Sequence, residues 1–184
     1  MSLIAGNLGF VQRLLDERKL TWGVFGGAAA HLYGDRRPIQ DVDLLVAPNQ
    51  LNSVVALLQG AQKAVQFDGQ RIIWRGIKLF DDLSIRKAGT IYPFQLDPAM
   101  IAHLRQMPLL GARVHLLAPE DVLVHKLLLG RGPEQGKHDV SDAEAITRRQ
   151  QLDTTYLRER LVICRAPKLI YEQLQGYGVD LSPP

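Results

Sequence analysis

The chain carries two hydrophobic rhythms, and the change from one to the other divides it. Near the start Phe10, Val11, Leu14 and Leu15 recur at helical spacing, which predicts an amphipathic helix over 7–18 with Asn7 as its N-cap. Leu20–Phe25 is a short apolar run ended by Gly26–Gly27 and reads as a strand. Ala28–Tyr33 is small and helix-prone, and Gly34-Asp35-Arg36-Arg37-Pro38 breaks it. A second strand is expected over Ile39–Ala47. Its alternation puts Val42, Leu44 and Val46 on one face and Asp41, Asp43 and Leu45 on the other. Pro48 opens a helix running to about Leu58 and closed by Gly60.

From Ala64 to Asp97 the runs shorten to strand length: AVQF, RIIW, IKLF, LSI and YPFQLD, separated by Asp-Gly, Arg-Gly and Ala-Gly turns. Pro98–Arg105 reads as a short helix and Val114–Leu117 as a last strand. Helical spacing then takes over in Pro119–Leu129, Val140–Gln150, Thr154–Cys164 and Pro167–Gln175. Pro119 and Pro167 suit first-turn positions, and Asp153 suits an N-cap. The expected organisation is an α/β core over 1–118 with a helical part, 119–184, packed on it, and a loose tail at Asp180–Pro184.

Composition narrows the class without choosing a function. The 184 residues are 46% hydrophobic and 22% charged, enough to bury a core, and the net charge of +3 tolerates phosphate or nucleic-acid ligands without demanding them. The single cysteine, Cys164, sits in LVICRA, reads as a small buried side chain and excludes an internal disulfide. Neither a signal peptide nor a run of about 20 apolar residues is visible, so a cytoplasmic location with no membrane partner is expected. The histidines lack metal-ligand spacing; His31, in the helix after the glycines, reads as a packed or exposed imidazole before one that faces the cleft, and His125, next to Lys126, is a candidate neighbour of the site. The basic excess over 148–168 reads first as a solvated helical face and second as an RNA contact.

Chemistry concentrates in 20–47. A strand that ends in Gly-Gly at the mouth of a helix offers backbone N–H groups and a positive helix end, both favourable to phosphate. Asp41 and Asp43, two apart on a strand, point to one face, where like charges repel unless a cation lies between them. Hard carboxylate oxygens suit Mg²⁺, which binds one or two of them together with substrate phosphates. The combination is a layout for metal-assisted phosphoryl-type chemistry. The absence of G-x-G-x-x-G and of G-x-x-x-x-G-K-[ST] disfavours a dinucleotide fold and a P-loop.

The run Gly26-Gly27, thirteen residues, Asp41-Val42-Asp43-Leu44 resembles the signature of the polymerase β-like nucleotidyltransferase superfamily. The fuller pattern, with Arg37 ahead of the aspartates, is similar to small bacterial nucleotidyltransferases related to abortive-infection toxins. Those usually carry a hydroxyl residue where this chain has Ile39. The resemblance covers about 20–146 and implies a nucleotidyltransferase fold with a mixed central sheet flanked by helices. It implies an NTP substrate, two Mg²⁺ or Mn²⁺ ions on Asp41 and Asp43, a triphosphate on Gly26 and Gly27, and a third carboxylate as base. It further implies a hydroxyl acceptor on RNA or protein and, by the toxin link, an antitoxin partner.

Three residues stand as candidates for the third position. Asp97 is preferred, Gln95 shares its face in YPFQLD, and Asp82 lies in an expected hairpin turn. With Gln95 there, the base would be an amide, and the protein would bind nucleotide without efficient transfer. In the helical half Lys126, Arg131, Asp139 and Asp142 match in order the family's Lys…Arg…Asp-x-x-Asp block. That match implies nucleotide contacts from Arg37, Lys126 and Arg131, with Asp139 and Asp142 orienting them. Bottom-up, Lys126 lies one turn after Val122 and Leu123, so its stem follows a buried stripe and its ammonium needs an anion. An interhelix salt bridge to Asp139 that fixes the packing is an equal reading of the same residues, and both can hold.

Overall fold

The computed structural model describes residues 3–61 and 63–181. They fold as a mixed α/β protein of two compact units: residues 3–29, 38–61, 63–83 and 95–117 form one, and residues 30–37, 84–94 and 118–181 the other. The last three residues of the expected tail lie outside the described residues.

The first unit is built on a seven-stranded sheet. In chain order its elements are α1 (Leu3–Glu17), β1 (Trp22–Phe25), the first turn of α2 (Gly26–Tyr33), β2 (Val42–Val46), α3 (Leu51–Gly60), β3 (Gln66–Phe67), β4 (Arg71–Trp74) and β5 (Ile77–Phe80). The order across the sheet is β3-β4-β5-β2-β1 and then, after the ribbon β6 (Ile85–Lys87) and β7 (Thr90–Tyr92) and the short helix α4 (Pro98–Ala102), β9 (Ala112–Leu116) and β8 (Arg105–Leu109). The β6–β7 ribbon forms a separate two-stranded sheet. β1 runs antiparallel to β2, with Phe25 opposite Asp43, and β2 runs parallel to β5, with Asp43 opposite Lys78. β1 and β2 are buried on both faces apart from Asp43, because apolar residues alternate with apolar residues along them.

Three departures from the expected elements have identifiable causes. α1 begins at Leu3, and Asn7 lies inside it, buried; its amide donates to the Arg75 carbonyl at 2.9 Å instead of capping a helix. YPFQLD is a strand only as far as Tyr92, since Pro93 has no N–H to offer a ladder, and Asp97 becomes the N-cap of α4, accepting from the Met100 N–H at 2.9 Å. β8 was hidden in what reads as a helix end and loop. Pro108 demotes that run as a strand, yet β8 is the terminal strand of the sheet, where proline is tolerated.

The second unit is largely helical. α5 (Pro119–Leu129), α6 (Asp139–Arg149), α7 (Thr154–Ile163) and α8 (Lys168–Gly176) match the expected helices to within a residue or so at each end. Pro119 is in the first turn of α5, Asp153 caps α7 by accepting from Thr155 and Tyr156, and Gly130 closes α5 in the left-handed conformation. α5 is buried almost all round, including Glu120, Asp121, His125 and Lys126. Cys164 is a buried thiol that is not joined in a disulfide. No helix among the described residues is long and apolar enough to cross a membrane.

Candidate functional site

The glycine pair closes β1 and opens α2. Gly26 sits at φ +66°, in the left-handed region, and a Cβ there would stand 2.5 Å from Oδ2 of Asp43. Gly26 is therefore a glycine for two reasons, its backbone and the carboxylate lying against it. Gly27 differs: it is exposed, and a Cβ on it would meet open space. Internal packing leaves that position free, and the opening lies at a helix N-terminus whose first N–H groups have no partner within the helix.

The two glycines give a contrasting prediction. Gly26→Ala is expected to destabilise the protein by about 1–2 kcal/mol, from its left-handed backbone and the displacement of Asp43. Gly27→Ala is expected to fold at least as stably, because alanine suits a helix better than glycine. Urea denaturation of the two variants checks the contrast.

Asp43 lies beside this turn, and Asp41, two residues earlier, has a different setting. Asp43 is in β2, half-buried, opposite Phe25 on one side and Lys78 on the other. Asp41 precedes the strand and its Oδ2 is ion-paired with the Lys78 ammonium. Lys78 stands in β5 between buried Ile77 and Leu79, so it projects to the opposite face from them, the face of Asp43. Burial works against its charge, but the hydrogen bond to Asp41 and the charges of Asp43 and Asp41 outweigh it and hold the ammonium above its ordinary range. Lys78 is the residue beside the candidate carboxylates that the sequence did not single out. IKLF was legible as a strand, and a lysine within it was a signal, but that this strand lies beside β2 is a matter of topology.

The donor set can be compared with the ions implied by the resemblance. Asp41 and Asp43 supply hard oxygens suited to Mg²⁺ or Mn²⁺, and they are the residues that would hold one such ion. Asp97 does not join them as expected: it caps α4, and among the described residues no three His, Cys, Asp or Glu side chains gather closely enough to hold a metal. Gln95 is exposed and outside any strand, and Asp82 lies beyond β5. The carboxylates as placed thus fit one ion, not the pair of ions with a third acid.

The remaining predicted residues assemble with one another inside the second unit. Lys126 on α5 is buried and salt-bridged to Asp139 Oδ1 at 2.9 Å and Asp142 Oδ2 at 2.7 Å, both on α6. Arg131 Nε donates to Asp139 Oδ2 at 2.6 Å. Arg37 pairs with Asp142 and, through Nε, with Asp35 at 2.7 Å. Burial opposes ionisation of Asp139, yet Arg131 and Lys126 overcome it and hold its carboxyl below the usual range. Burial pushes Asp142 the other way, assisted by its hydrogen bond with Asp35 and only partly offset by Lys126. The ordered block Lys126, Arg131, Asp139 and Asp142 is thus a charge network joining α5 and α6. Arg160, counted with the basic face of the last helices, is instead wholly buried against Asp121 at 2.7 Å.

No family model and no curated protein matches the sequence. Solved structures do. The chain is similar to ANT(2")-Ia in complex with adenylyl-2"-tobramycin, with a TM-score of 0.60 at 12% identity over 90% of this chain and 98% of that one. It is similar to the lincomycin-bound lincosamide antibiotic adenylyltransferase LnuA, with a TM-score of 0.52 at 15% identity over 79% and 97%. An antigenic nucleotidyltransferase-like protein from Paracoccidioides brasiliensis gives 0.52 at 18% identity over 95% and 91%. At such identities the likeness speaks to architecture, and the architecture is a nucleotidyltransferase fold.

Proposed function

From that fold, we propose that the chain binds a nucleoside triphosphate at the Gly26–Gly27 turn and transfers its NMP to a hydroxyl acceptor. The observation that carries the reading is the Asp43 carboxylate lying against Gly26, which puts a carboxylate at the mouth of a helix N-terminus. Phosphate oxygens would take the N–H groups of the first helical turn, where the helix dipole also favours negative charge. A divalent ion bound there supplies neutralisation of the triphosphate and of the leaving pyrophosphate. Asp41 and Asp43 would hold it, and the exposed, unencumbered Gly27 leaves room for the phosphates.

RNA or a protein side chain is the proposed acceptor, in keeping with the toxin-related pattern of the sequence, and an antitoxin would then be the natural partner. The named antibiotic adenylyltransferases supply a third acceptor class, a small molecule with hydroxyls. A second reading, nucleotide binding without turnover, is supported by two observations: Lys78 already occupies Asp41, and Asp97 caps a helix.

One experiment separates the readings. The protein is incubated with each α-³²P-labelled NTP and Mg²⁺, together with cellular RNA, protein extract, lincomycin or tobramycin. Transfer to one acceptor class, lost in Asp43→Ala with circular dichroism unchanged, supports the transferase. Thermal stabilisation by a nucleotide with no transfer to any acceptor supports the binder.

A further inference from the structure

The acidic pair has a counter-charge that belongs to the chain itself. We infer that Lys78 takes the place of a divalent ion between Asp41 and Asp43, closing the pair to free Mg²⁺ or Mn²⁺ until that ammonium is displaced. The inference rests on the placement of the candidate site at these aspartates and not on whether NMP is transferred.

Three observations carry it. In the parallel ladder of β2 and β5, Lys78 is the residue directly opposite Asp43, so the two side chains share a face by register and not by a chance rotamer. Its ammonium is ion-paired with Asp41, the other member of the pair, so one side chain contacts one carboxylate and stands opposite the other in the ladder. Neither partner is freely solvated: the Lys78 and Asp41 side chains are 33% and 40% exposed, so the pairing is less screened than one at an open surface. A divalent ion arriving between the carboxylates would face the ammonium at close range, and among the described residues no third carboxylate gathers to offset that repulsion. The triphosphate of a nucleotide is the ligand chemistry able to draw the ammonium away, since it offers Lys78 an alternative anion. Metal entry is then coupled to nucleotide arrival.

The alternative is that Lys78 is an ordinary surface ion pair, loose enough to yield to any cation. Binding of Mn²⁺ alone, without nucleotide, decides between them. Free Mn²⁺ is followed by electron paramagnetic resonance during titration of the unaltered protein, Asp43→Asn, Lys78→Met and the double variant Lys78→Met/Asp43→Asn. The readout is the part of the binding that depends on Asp43.

The unaltered protein and Asp43→Asn are expected to bind Mn²⁺ alike. Lys78→Met is expected to gain a site at least tenfold tighter, and the double variant to lose it. An Asp43-dependent Mn²⁺ site in the unaltered protein, or no gain in Lys78→Met, overturns the inference. Circular dichroism verifies folding. If Lys78→Met does not fold, Lys78→Gln replaces it, and the comparison of the unaltered protein with Asp43→Asn still decides. Failure here leaves the labelled-transfer result standing, and absence of transfer leaves this one standing.

Discussion

Asp121→Asn is expected to destabilise the protein by about 3–5 kcal/mol, a large share of the stability of a domain of this size. Asp121 and Arg160 have no exposed side-chain surface, and their ion pair is 2.7 Å long. The Tyr156 hydroxyl donates to the same carboxylate, at 3.0 and 2.9 Å to its two oxygens, and the guanidinium lies 5.9 Å from the centre of the Phe94 ring. The amide keeps an acceptor for Tyr156 but removes the negative charge that the buried guanidinium faces. An uncompensated charge there costs more than the pair itself contributes, so removing one partner is the severe change. Asp121→Leu/Arg160→Met, which removes both charges, is expected to recover most of the loss. Urea denaturation checks both, with the midpoint shifting while the slope holds.

Lys126→Met is the second large effect, expected at about 3 kcal/mol and seen in stability. The ammonium is buried and held by Asp139 and Asp142 together, so methionine leaves two carboxylates facing one another across its place. Arg131 still serves Asp139 and Arg37 still serves Asp142, which is why the figure stands at the low end of the range for broken buried pairs. The test also bears on the nucleotide role that the resemblance implies for Lys126. With an ammonium committed to α6, nucleotide affinity corrected for unfolding is expected to change less than threefold. A tenfold loss of affinity at unchanged stability would assign Lys126 to the phosphates instead.

These two networks differ in how legible they were. Lys126, Asp139 and Asp142 were visible together because helical spacing put the two aspartates one turn apart and a lysine on an apolar stripe needs an anion. Arg160 was misplaced among solvated residues because the helix that carries it, TTYLRERLVI, is apolar and charged on overlapping faces. Only the burial of Asp121 on α5, another helix, shows which arginine of that helix turns inward.

What the sequence determined by itself are the features that depend on near neighbours. Periodicity located nearly every helix and most strands, and it placed Asp43 on the strand that follows the glycine turn, while Asp41 precedes that strand. These follow from local geometry, since a period of 3.6 or 2 sets which face a side chain takes whatever the rest of the chain does. Tertiary structure decided what lies across from them. The parallel pairing of β2 with β5 brings Lys78 to Asp43 over a separation of 35 positions, and the ending of a strand at Pro93 turns Asp97 from an expected base into a helix cap. Strand order is settled by which apolar faces bury one another across the whole sheet, and no window of the sequence contains that choice. The glycines and aspartates could be read as a site, but the lysine ammonium paired with Asp41 could not.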